Sequence, residues 1–148
     1  MSDKQKRALI IAVLLAAVLI FIWGNSLLDR ESSTAISRAV SRILRPVLEF
    51  FTGSADDIIL RKLAHFAEFG GLGCVLAIIM LLQGRLGIGV AANYLFCGLL
   101  AALIDETVQL YTGRGSQVQD IWLDFAGVLA GFGAALLIGI LVKRRRKK

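Results

Sequence analysis

The chain has 148 residues, 57% of them hydrophobic, with a mean hydropathy of +0.73 and a formal net charge of +6. A soluble domain carries roughly 45–50% apolar residues even with glycine counted; here the excess lies in long runs, which excludes an ordinary water-soluble domain and indicates a single membrane domain over residues 1–148. The charge comes largely from the two ends, without interleaved aromatics or a nucleic-acid motif, so the basic tails read as topology determinants and nucleic acid is not expected as a partner.

The first segment runs from about Ala8 to Leu28. Its basic start and apolar stretch resemble a signal peptide, but no small-x-small cleavage site precedes Asn25 and further apolar segments follow, so it reads as a retained first span. Gly24, Asn25 and Ser26 interrupt it near one interface, where Trp23 is well suited. Residues 32–51 differ in character. Arg38, Arg42, Arg45 and Glu49 recur at helical spacing, and Ile36, Val40, Ile43, Val47 and Phe51 form a second stripe. This predicts an amphipathic helix, N-capped around Ser32, Ser33 and Thr34 and kinked or ended at Pro46. It either lies on the outer leaflet or covers the bundle as a lid.

Ser54 and Asp57 fit a capping box that opens the second span, residues 57–82. Gln83, Gly84 and Arg85 make a tight turn into the third, residues 87–111. A short polar loop from Thr112 to Ser116 leads to the fourth, residues 118–142. Cys74 and Cys97 lie deep in apolar runs and read as reduced packing residues. Four spans place both termini on one side. The tails and the Gln83 turn hold ten of the 17 Lys and Arg residues, so the positive-inside rule makes both ends cytoplasmic.

Ionisable residues inside apolar spans are costly, by about 2.5–3.5 kcal/mol each on insertion scales, and usually face a cavity or one another. At about 100° per residue, Arg61, His65 and Glu68 share one stripe of the second span with Asp57, while Lys62 lies off it and can snorkel toward headgroups. On the third span Asp105 and Gln109 share a face with Gly98, Ala101 and Ala102, and Glu106 lies about 100° away. On the fourth, Asp120, Asp124, Gly127 and Gly131 line up. The alternation of spans puts all these polar groups at one depth, toward the outer side. A single Arg–carboxylate pair would serve as a bundle lock; the number of groups here favours a pocket.

Three chemistries fit. His65 with Glu68 and Asp105 can handle protons. His65, Glu68, Asp105, Asp120 and Asp124 can ligate a divalent metal. Arg61 and Arg114 can grip a phosphate or carboxylate. The candidate reactive residues are therefore His65, Glu68, Asp105, Glu106, Asp120 and Asp124. The candidate ligand-binding residues are Arg61, Lys62, Gln109 and Arg114. No cofactor is assigned, and a divalent metal stays open.

The pattern R-K-x-x-H-F-x-E-F-G at Arg61 to Gly70 resembles the VanZ-like membrane family. So do D-E-x-x-Q at Asp105 to Gln109, the following Gly113-Arg114, and D-x-x-x-D-x-x-G at Asp120 to Gly127. The resemblance implies a protein of the bacterial cytoplasmic membrane related to glycopeptide (teicoplanin) resistance. It marks His65, Glu68, Asp105, Glu106, Gln109, Arg114, Asp120 and Asp124 as defining residues but carries no catalytic role for any of them.

The expected fold is all-α, a bundle of four membrane helices with an additional outer amphipathic helix between the first two spans. The expected function is an outer-leaflet pocket that binds an anionic lipid or cell-wall precursor, with processing of that ligand, and hence enzymatic activity, left open. Two other classes remain: a non-enzymatic factor that sequesters antibiotic or ligand, and a small transporter acting as a homodimer through Gly127-x-x-x-Gly131.

Overall fold

The computed structural model describes residues 1–27, 42, 46, 57–84, 86–113 and 116–145. Apart from Arg42 and Pro46, the amphipathic segment 32–51 lies outside the described residues, as do Ser54 of the capping box and Arg114 of the polar loop. Four helices carry the described chain: α1 (Asp3–Leu27), α2 (Asp57–Gln83), α3 (Ile88–Tyr111) and α4 (Val118–Arg145). Their 24 to 28 residues give about 36–42 Å at 1.5 Å per residue, enough to cross a hydrocarbon core of about 30 Å. All four are long and apolar enough to span a membrane, and the all-α expectation holds among the described residues.

Helix ends follow from local chemistry. α1 begins five residues before the apolar run, because Ser2 and Gln5 form a reciprocal cap: the Gln5 amide donates to Ser2 Oγ (3.3 Å) and the Ser2 amide to Gln5 Oε1 (2.8 Å). α4 outruns its apolar part to reach Lys143, Arg144 and Arg145, cations that suit the negative end of a helix. Two turns need a left-handed residue and each has glycine there: Gly84 after α2 and Gly113 after α3, both at φ 68°.

The polarity of the bundle is reversed relative to a protein in water. Leu9, Ile10, Ile20, Ile78, Phe96 and Leu137 face outward, while Asp105 and Asp124 are completely buried. That arrangement suits a hydrocarbon surround, in which polar groups turn to one another. The apolar part of the interior is built from Ile22, Phe69, Leu72, Leu76, Met80, Ala102, Val128 and Phe132.

The closest helix pairing is α2 with α4, and glycines make it possible. A Cβ at Gly131 would fall on the Gly70 carbonyl, one at Gly127 on the Phe66 carbonyl and one at Gly73 on the Val128 carbonyl. Cys74 Sγ donates to the Gly131 carbonyl across the same seam (3.3 Å). The Gly127-x-x-x-Gly131 face expected to meet a second copy is thus occupied by α2 of the same chain. Cys74 and Cys97 are both free thiols. α1 stands further off; between it, α2 and α3 lies an apolar cavity of about 360 Å³ that includes Leu15, Leu19, Trp23, Leu72 and Tyr94 in its walls.

The seam yields a direct test. Gly131→Ala forces backbone apart, at about 1–3 kcal/mol, and lowers the thermal midpoint in detergent. Gly133→Ala, where an added Cβ meets nothing within 4 Å, is neutral or stabilising by up to about 1 kcal/mol. Equal midpoints for the two variants would contradict the close α2–α4 approach.

Candidate functional site

The polar residues gather at one end of the bundle, where α1 ends, α2 begins, α3 ends and α4 begins. Chain geometry explains this. His65 lies just over two turns into α2, Asp105 under two turns before the end of α3, and Asp124 under two turns into α4. Antiparallel neighbours therefore bring the three side chains to one level. The predicted inward faces are the buried ones: Gly98, Ala101, Ala102, Asp105 and Gln109 on α3, and Asp120, Asp124, Gly127 and Gly131 on α4.

His65 is the hub. Its Nδ1 lies 3.9 Å from Asp105 Oδ2 and 3.8 Å from Asp124 Oδ1. Glu106, placed by helical geometry about 100° from Asp105, joins the same cluster and is only 2% exposed. Gln109 ties the two α3 carboxylates together: its Nε2 donates to Asp105 Oδ2 at 2.7 Å and to Glu106 Oε1 at 3.0 Å. One ligand-type atom from each of His65, Asp105, Glu106 and Asp124 lies within 4.8 Å of all the others.

Two further candidate residues have partners outside that four-residue group. Asp120 Oδ1 pairs with Lys62 Nζ at 3.1 Å. Lys62 is therefore held at the rim by an ion pair rather than reaching for headgroups, and at 37% side-chain exposure the pair remains close to the surface. Glu68 turns toward α1, where its Oε1 accepts a hydrogen bond from Asn25 Nδ2 (3.1 Å). The carboxylates whose ligand-type atoms group with that of His65 are Asp105, Glu106 and Asp124.

The contribution of α1 was not anticipated. Asn25 and Ser26 read as an interruption of an apolar run, yet Asn25 holds Glu68 and the Ser26 carbonyl accepts from Thr112 Oγ1 (3.3 Å). Trp23 Nε1 donates to the Ala101 carbonyl of α3 (3.4 Å). The available signal was depth: all three residues sit at the end of α1 that meets the polar ends of α2 and α3.

A small cavity of about 10 Å³ opens at the cluster, among Arg61, Lys62, His65, Glu106, Gln109, Asp120 and Asp124. That is room for about one water molecule or ion. Among the described residues, Arg61 has no carboxylate partner, which leaves its guanidinium available at the rim. The electrostatic balance is uneven. Three buried carboxylates surround one imidazole, and the nearest ammonium is already engaged by Asp120.

No curated protein and no solved structure gives a significant match to this sequence. The profile of the VanZ/LLP1 family matches residues 9–139, which takes in α2 and α3 whole, most of α1 and α4, and every residue of the polar cluster. With four membrane-spanning helices arranged around that cluster, the chain is a multi-pass membrane protein and belongs to the VanZ/LLP1 family.

Proposed function

We propose that this protein sits in the bacterial cytoplasmic membrane with both termini cytoplasmic, and that the polar end of its bundle engages an anionic, lipid-linked envelope ligand in the outer leaflet. A role in glycopeptide resistance would follow from that contact with cell-wall material. The observation that carries the reading is Arg61, a guanidinium without a carboxylate partner among the described residues, in the lining of a cavity shared with His65 and Asp124. Arginine is the side chain best shaped for two-pronged contact with phosphate or carboxylate. The cavity is too small to enclose a headgroup, so the ligand's charged group sits at the mouth and only its contacted atoms reach inward. The nearness of His65 to Asp105 and Asp124 supports a proton-transfer role at that mouth, should the ligand be processed.

The transporter reading finds less support. Transport sites tend to lie near the bilayer midplane on broken helices, whereas this cluster lies near one end of continuous helices.

Two experiments bear on the proposal. Binding of a short-chain polyprenyl phosphate to the full-length protein in nanodiscs should weaken about tenfold or more in Arg61→Gln, in line with loss of a charge-assisted contact, with the thermal midpoint nearly unchanged. Unchanged affinity would rule out Arg61 as the anchor. Orientation can be read by thiol labelling of intact cells in a Cys74→Ser, Cys97→Ser background. A cysteine placed at Gln117 should react with an impermeant reagent, and one placed at Leu86 only after lysis; the reverse pattern would invert the topology.

A further inference from the structure

The acidic cluster poses a difficulty for any anionic ligand. Three carboxyl groups are buried in it, and each one that is ionised repels such a ligand. We propose that His65, Asp105, Glu106 and Asp124 form a binding site for one divalent cation of the Mn²⁺ or Zn²⁺ kind. This rests on reading the cluster as a functional site rather than a lock between helices.

Four observations support it. First, spacing: ligand atoms of all four residues lie within 4.8 Å of one another. Two ligands on opposite sides of an ion at about 2.1–2.4 Å are about 4.2–4.8 Å apart, so small side-chain adjustments close the shell. Second, Asp124 is completely buried, and neither of its carboxylate oxygens accepts a hydrogen bond. Its nearest charged partner, His65 Nδ1, is 3.8 Å away, beyond hydrogen-bond range. Buried carboxylates are normally paired, hydrogen-bonded or metal-bound, and the first two are poorly met here. Third, three of the four residues, His65, Glu106 and Asp124, line a cavity with room for a single ion. Fourth, Gln109 bonds both Asp105 and Glu106 and so orients two of the proposed ligands, as outer-sphere groups in metal sites do.

The donor set narrows the ion. Carboxylates suit Mg²⁺, Ca²⁺ and Mn²⁺, while imidazole suits Zn²⁺ and other transition metals; a set of three carboxylates and one imidazole falls where Mn²⁺ and Zn²⁺ are favoured. With His65 neutral and the three carboxylates ionised as ligands, a bound dication would bring their combined charge from −3 to −1. Its own positive field beside Arg61 then makes the mouth receptive to a phosphate or carboxylate.

The test uses full-length protein in detergent, stripped with chelator and equilibrated with Mn²⁺ or Zn²⁺ alone. About one ion per chain should be retained, with a rise of several degrees in the thermal midpoint that chelator reverses. Asp124→Asn and His65→Gln should each weaken retention about tenfold or more, whereas Glu68→Gln, outside the four-residue group, should leave it nearly intact. If Asp124→Asn fails to accumulate, Glu106→Gln and the wild-type midpoint shift answer the same question. No retained ion and no shift, or retention unchanged in the Asp124 and His65 variants, would overturn the assignment. Polyprenyl phosphate binding measured alongside separates the two proposals. Arg61-dependent binding without any metal would remove the cation site and leave the ligand reading standing; metal retention without lipid binding would do the opposite.

Discussion

The structure depends on the burial of a group of acidic side chains in an apolar interior. Asp105, Glu106 and Asp124 are buried together around His65, and the nearest lysine is committed to Asp120. Isolated buried charges cost several kcal/mol each even after relaxation. A chain selected only to hold four helices together would gain by replacing them with well-packed apolar residues, which is often neutral or stabilising. Their retention is in keeping with the proposed cation site, whose ion would in turn draw an anion toward Arg61.

The rest of the bundle follows from holding that cluster at one level. Glycines on α2 and α4 let two backbones approach at the seam directly below it, so His65 on one helix reaches Asp124 on the other. α3 contributes its carboxylates from the opposite direction of chain travel, and Gln109 one turn later keeps them aligned. α1 packs less closely but closes the polar end, through Asn25 on Glu68 and Ser26 against Thr112. Packing and polarity therefore reside in different parts of the same helices: small residues and the apolar core carry the packing, and the end turns carry the polar cluster.

The spans were legible because each is a long apolar run bounded by charge or glycine, and the inward faces because helical periodicity placed Asp105 with Gln109 and Asp124 with Gly127 and Gly131. What periodicity could not give was the partner of each side chain across helices. Lys62 was off the polar stripe by angle, yet a long flexible stem lets it swing to Asp120. Glu106 was off its stripe too, but three helices surround the cluster, so two adjacent positions of α3 both face inward. Glu68 was on the stripe and still turned to Asn25, a residue read as an interruption rather than a contact. Helix ends shifted for a related reason: hydropathy marks the part of a helix that hydrocarbon surrounds, not where its hydrogen bonds begin, as Ser2 and Gln5 show at α1.

The central claim is that an imidazole nitrogen and a ring of carboxylates share one ion within the bundle. Pulsed electron paramagnetic resonance of Mn²⁺ added to the purified full-length protein examines this most directly. The account predicts nitrogen modulation from a directly bound imidazole, with fewer exchangeable water protons than the free ion, and loss of the nitrogen signal in His65→Gln. A spectrum identical to hydrated Mn²⁺ in the wild-type protein, or a nitrogen signal that persists without His65, would contradict it.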